Sequence, residues 1–126
     1  MVSKLESITL WVSNMKRSLE FYRKMGILPR FISPDQEFAS LQTKGAALQL
    51  HAGGKPHPRL LEAMHIDFAV DDVDKAYVRL RARGLKFKGV PEDRPWGERS
   101  AYLTDPDGFV LEISGPLKKR KQANRK

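Results

Sequence analysis

An internal repeat constrains this chain more than any other feature. Residues 7–26 open with Ser-Ile-Thr-Leu-Trp-Val and close on Gly26; residues 65–84 open with His-Ile-Asp-Phe-Ala-Val and close on Gly84. The same offset separates Ser7 from His65 and Gly26 from Gly84, so the copies align without a gap. Ile8 matches Ile66, Leu10 matches Phe68, Val12 matches Val70, Leu19 matches Tyr77 and Tyr22 matches Leu80. A repeat of this length marks one supersecondary unit used twice, and two copies are too few for a solenoid. The copies are therefore expected to pack together in one domain or with a second chain.

Alternation reads residues 5–12 as a strand, with Ile8, Leu10 and Val12 on one face and Ser7, Thr9 and Trp11 on the other. Ser13 or Asn14 is positioned as an N-cap. Met15, Leu19, Tyr22 and Met25 then recur at helical spacing, and Gly26 closes the helix. A strand over 27–32 carries Pro29 and so belongs at an edge. A hairpin over 37–42 and 46–51 completes a β-α-β-β-β order. The second copy predicts the same order: a strand over 65–70, an Asp71 or Asp72 cap, and a helix through Val73, Ala76, Tyr77 and Leu80. A short strand over 85–88, a loop over 90–98 and a hairpin around Asp105-Pro106-Asp107-Gly108 follow. The fold class is α+β, built from two βαβββ modules. Module one spans 5–52 and module two 64–115, within one domain over 1–116. The Gly- and Pro-rich stretch 53–63 is the linker.

Composition narrows the function classes. No apolar run approaches a membrane span, and residues 1–7 hold no apolar signal core. With no Cys there is no disulfide, thiolate nucleophile or thiolate metal site, and a cytoplasmic setting is the simplest expectation. The net charge is +8, but six basic residues and no acid fall within 117–126, leaving +2 for the rest. That tail reads as a solvated, disordered end. Because no aromatic residue interleaves with its charges, nucleic acid is not an expected partner.

The strand faces opposite the apolar ones carry Ser7, Thr9, Trp11, Gln49, His51, His65, Asp67, Ser100, Tyr102, Glu112 and Ser114. Short polar and aromatic groups with few Lys or Arg suit a small-molecule cavity better than bulk solvent. In the repeat, Ser7 is equivalent to His65, and Gln49 nearly equivalent to Glu112. Pseudo-twofold packing would bring the four together, and a His and a Glu on adjacent strands can bind a divalent metal.

Paired β-α-β-β-β modules, the first-strand pattern, Phe21-Tyr22 and Asp105-Pro106-Asp107-Gly108 ahead of Glu112 together resemble the vicinal oxygen chelate superfamily, over residues 5–115. Its members include glyoxalase I, bleomycin-resistance proteins and extradiol dioxygenases. The resemblance implies curled mixed sheets around a cavity, completed in a homodimer. It also implies a divalent metal (Mn, Fe, Ni, Co or Zn) held at positions matching Ser7, Gln49, His65 and Glu112. Here His65, Glu112 and Gln49 are suitable donors, and Ser7 departs from the His common at that position. Glu112 is also the expected catalytic proton carrier. Trp11, Phe38, Gln49, His51, Trp96, Arg99 and Tyr102 are the expected ligand contacts, although each aromatic can equally serve a core or an interface.

Two function classes follow. One is metal-assisted lyase, isomerase or dioxygenase chemistry on a substrate with vicinal oxygens. The other is a metal-free, bleomycin-resistance-like protein that sequesters an organic ligand; retention of His65 and Glu112 favours the first, and Ser7 the second. His65→Ala is expected to weaken metal or ligand binding far more than it lowers stability. Collapse of the fold without a separable loss of binding, seen by circular dichroism beside a binding titration, would count against a functional His65.

Overall fold

A computed structural model describes residues 1–118; the remainder of the basic tail, 119–126, lies outside the described residues. The chain forms two compact units. The first comprises Met1–Met64 with Asp105–Gly108, and the second His65–Thr104 with the segment from Phe109 onward.

In the first unit, β1 (Ser7–Val12) is followed by α1 (Met15–Lys24), β2 (Pro29–Ile32), β3 (Phe38–Leu41), β4 (Ala47–Ala52) and α2 (Pro58–Ala63). The sheet order is β1-β4-β3-β2, with β1 parallel to β4 and the other pairs antiparallel. Pro29 does sit in an edge strand, where its missing N–H breaks no central ladder. Asn14 takes the cap of α1, accepting from the Arg17 N–H at 2.9 Å. Gly26 lies at φ +87, the left-handed conformation that a residue just past a helix needs. Leu10, Val12, Ala39, Leu41, Leu48, Leu50, Met15 and Tyr22 are buried, as the alternation requires. Within the linker, α2 starts at Pro58, where His57 caps it by accepting from the Arg59 N–H.

The second unit repeats the plan with β5 (His65–Ala69), α3 (Val73–Ala82), β6 (Glu92–Asp93), β7 (Arg99–Thr104) and β8 (Val110–Gly115), in the order β5-β8-β7-β6. Again the first and last strands pair in parallel. Asp72 caps α3 by accepting from Lys75 N–H, as Asn14 caps α1, and Gly84 takes φ +94. One expectation is corrected. The short strand placed over 85–88 is absent: Phe87 makes a single bridge to Leu103, and Gly89 at φ +96 then turns the chain away. The second strand of this sheet is instead the two-residue β6, within the segment expected to be a loop.

The turn Asp105–Gly108 belongs to the first unit because its side chains are anchored there. The Tyr22 hydroxyl donates to Asp105 Oδ2 at 2.7 Å, with both residues buried. Burial, then the charge of Asp105 and the hydrogen bond to it, push the phenol well above its ordinary pKa, so it remains a donor. Ser13 donates to Asp107 through its backbone N–H and its hydroxyl. Inside the turn, the Asp107 N–H donates to Asp105 Oδ1. Tyr22→Phe is expected to lower unfolding free energy by about 1–3 kcal/mol, since it leaves a buried carboxylate oxygen without its donor. Urea denaturation checks this; a change under about 0.3 kcal/mol would show that the bond does not anchor the turn.

Candidate functional site

The polar face of the second sheet is built in rows by strand register. Asp67 of β5 and Tyr102 of β7 both lie directly opposite Glu112 of the intervening β8. The row beside it pairs Ser100 and Ala69 with Ser114. Side chains two residues apart share a face, so His65 stands diagonally next to Glu112. Its Nε2 lies 3.0 Å from Glu112 Oε1, and its ring meets Tyr102 edge-on with centroids 5.9 Å apart.

Glu112 is only 3% exposed, and its Oε2 has no hydrogen-bond partner. Asp67, Glu98 and Glu112 each present an oxygen within 4.8 Å of the others. Ser114 Oγ donates to the Asp67 carboxylate at 2.8 Å, and Trp96 Nε1 donates to Glu98 Oε1 at 2.8 Å. Burial raises the Asp67 pKa; the Ser114 hydrogen bond opposes this, and the charges of Glu112 and Glu98 reinforce it. The Tyr102 hydroxyl is raised by burial and by the nearby Glu112 carboxylate, so it stays protonated and able to donate. Arg94 donates to Ser100 Oγ at 2.9 Å and holds its guanidinium 5.3 Å from the Tyr102 ring centroid.

The remaining expected site residues fall into two groups. Trp96 is exposed and reaches the cluster through Glu98. Arg99 does not join it. The alternation that puts Tyr102 on the polar face turns Arg99 to the other side, where it pairs with Asp74 of α3 at 3.0 Å and Asp93 at 3.2 Å. Arg99 thus clasps α3 and β6 on the face away from Glu112.

The first sheet presents a different face. Thr9 donates to Gln49 Oε1 at 3.0 Å. Trp11 lies over His51 with centroids 4.0 Å apart, Phe38 meets His51 edge-on at 6.5 Å, and Phe31 follows Phe38 at 6.4 Å. Trp11 and Phe31 are about half exposed, at 49% and 52%. Gly54 permits this arrangement, because a Cβ there would stand 3.2 Å from the Trp11 ring. Ser7 is half-buried at the start of β1, opposite Ala47.

Sequence reading placed Asp67 on the polar face without giving it a role, and passed over Glu98 and Arg94. Parallel pairing of the first and last strands sets Asp67 beside Glu112. Glu98 and Arg94 sit in an irregular segment that has no periodicity to read.

The profile of the Glyoxalase/Bleomycin resistance protein/Dioxygenase superfamily matches residues 4–113. The chain is 29% identical to YraH of Bacillus subtilis (strain 168), over 87% of this chain and 96% of that one. Among solved structures it resembles a glyoxalase/bleomycin resistance protein/dioxygenase from Nocardioides, with TM-score 0.72 and 26% identity, covering 97% of this chain and 89% of the other. It also shares its fold with a lactoylglutathione lyase from Agrobacterium tumefaciens, with TM-score 0.73 and 19% identity over 91% of this chain and 95% of that one.

The site's chemistry has a stability signature. Glu112 is a buried carboxylate beside two other carboxylates, an arrangement that costs folding energy. Glu112→Gln removes that charge while keeping the shape, and is expected to leave unfolding free energy unchanged or raise it by about 0.5–2 kcal/mol. A urea-denaturation loss of more than about 1 kcal/mol would mark Glu112 as a structural residue instead.

Proposed function

Because the chain belongs to the Glyoxalase/Bleomycin resistance protein/Dioxygenase superfamily, we propose that it is a cation-assisted enzyme acting on a small molecule with adjacent oxygens, by lyase or isomerase chemistry centred on Glu112. The observation that carries this reading is the unpartnered oxygen of Glu112. A carboxylate this buried that accepts on one oxygen only is an incomplete site, and a cation or a transferable proton would complete it.

The donor set fits a divalent metal. His65 would offer an imidazole nitrogen and Glu112 a carboxylate, both from the second sheet. A bound divalent cation would supply Lewis-acid polarisation of the substrate's oxygens. The chain's own residues supply the rest. His65 Nε2 is on Glu112 Oε1, so Oε2 is the oxygen open either to a cation or to a proton from carbon next to a carbonyl. Tyr102, kept protonated beside Glu112, is placed to donate to a substrate oxygen. This reading carries a homodimer, a small-molecule ligand and a cytoplasmic setting, with no membrane or nucleic-acid partner. Among the described residues no helix is long and apolar enough to cross a membrane.

A second reading rests on the first sheet. Gln49 already accepts from Thr9, Ser7 is a poor ligand, and the Trp11–His51–Phe38–Phe31 row is suited to stacking on a planar organic molecule. Those features favour a metal-free binding protein. Metal analysis of the native, untagged protein separates the two, followed by titration of the apo form with Mn, Fe, Ni, Co and Zn beside Glu112→Ala. Near one metal per chain or per dimer, lost in Glu112→Ala, is the expected result. A folded protein that takes up no metal would shift the assignment to ligand sequestration.

A further inference from the structure

We propose that Asp67 and Glu98 complete, with Glu112, an oxygen-rich site that selects a hard divalent cation such as Mn²⁺ or Mg²⁺. The proposal rests on the cation-assisted reading above and enlarges its donor set. Neither residue occupies a position matching the superfamily's ligand pattern, which falls here on Ser7, Gln49, His65 and Glu112.

Three observations carry it. The first is placement. Register sets Asp67 directly opposite Glu112, and the bond from the Arg94 N–H to the Glu98 carbonyl (2.7 Å) folds the segment before β7 back toward them. Three carboxylate oxygens thereby gather within 4.8 Å. Oxygens bound to one Mn²⁺ or Mg²⁺ at about 2.1 Å stand no more than about 4.2 Å apart, so small side-chain rotations close the set. The second is the buried Glu112 carboxylate with an oxygen left unpaired. The third is the support around the other two acids. Ser114 Oγ touches both Asp67 oxygens, at 2.8 and 3.0 Å, and Trp96 Nε1 holds one Glu98 oxygen. Such neutral donors orient carboxylates without cancelling their charge, the arrangement that outer-shell groups supply around a metal.

The nearby nitrogen donors are engaged on single oxygens or on other residues. His65 Nε2 is on Glu112 Oε1. Arg94 spends its Nε and Nη2 on Ser100 and lies 3.8 Å from Glu92 through Nη1. Carboxylate oxygens favour Mn²⁺ and Mg²⁺ over metals that prefer nitrogen or sulfur ligands.

Mn²⁺ titration of the full chain, followed by the electron paramagnetic resonance signal of free Mn²⁺, tests this. The panel is wild type, Asp67→Asn, Glu98→Gln, Glu112→Gln and, as a control in the first unit, Asp35→Asn, each checked for folding by circular dichroism. Asp67→Asn and Glu98→Gln are each expected to weaken Mn²⁺ binding about tenfold or more. Mg²⁺ should compete with Mn²⁺ in the wild type, and Asp35→Asn should change nothing. Glu98 lies outside the strands, so Glu98→Gln decides the matter if Asp67→Asn does not fold. Loss of binding in Glu112→Gln with wild-type affinity in Asp67→Asn and Glu98→Gln would overturn this proposal and leave the cation-assisted reading standing. Equal weakening by Asp35→Asn would reduce the effect to general charge and overturn it as well. A wild type that binds no Mn²⁺ or other divalent cation would remove both.

Discussion

Parallel pairing of each unit's first strand with its last determines what each sheet face displays. A hairpin pairs neighbours in sequence, whereas this pairing joins segments some forty residues apart with helix and strands between. In the second unit it fixes Asp67 opposite Glu112 and leaves His65 diagonal to Glu112. A one-residue slip would carry all of β5 to the other face, exchanging His65 and Asp67 for Ile66 and Phe68. Burial of Ile66 against the helix side therefore holds the acidic cluster in register as firmly as any polar contact does.

The two units show how one scaffold supports unlike surfaces. Asn14 and Asp72 cap α1 and α3 in the same geometry, and Gly26 and Gly84 end them in the same left-handed conformation. Both helices run for ten residues. The buried faces agree as closely: Leu10 and Leu50 in one sheet correspond to Phe68 and Ile113 in the other. The outward faces diverge. The first unit puts Trp11, His51 and Phe38 in a row where the second has Ala69, Ser114 and Ser100. The second puts Asp67, Glu112 and Tyr102 where the first has Thr9, Gln49 and Ser40. Core positions are constrained by packing on both sides, whereas an outward face is free to specialise.

What was legible in the sequence follows the same division. Caps, helix ends, strand faces and most of the core could be read, because each leaves a local pattern of period two or a period near 3.6. The placing of His65, Glu112 and Tyr102 on one face was legible because they occupy strand positions whose direction alternation dictates. Arg99, expected as a ligand contact, is sent by the same alternation to the opposite face, where it pairs with Asp74. The segment from Leu85 to Glu98 was the least legible. Its one bridge, its two-residue strand and the placing of Glu98 beside Asp67 and Glu112 depend on tertiary contacts with β7 and on Gly89. The Asp105–Gly108 turn was recognised from its residues, but its anchoring by Tyr22 and Ser13 spans more than eighty residues and has no local signature.

Two buried carboxylates show why one of them is assigned to function. Asp105 and Glu112 are nearly equally enclosed, at 5% and 3% exposure. Asp105 is satisfied: Tyr22 donates to one oxygen and the Asp107 N–H to the other, and the return is a fixed turn. Glu112 has His65 on one oxygen and nothing on the other, with two more carboxylates close by. An unmet buried acceptor costs about 1–3 kcal/mol, a large share of a small domain's net stability of about 5–15 kcal/mol. Folding alone gives no reason to keep a glutamate there, since a hydrophobic side chain in the same strand position would remove the cost. A carboxylate placed against that gradient makes sense where the missing partner arrives from outside the chain, and the nearby oxygens of Asp67 and Glu98 are the reason we propose a cation as that partner.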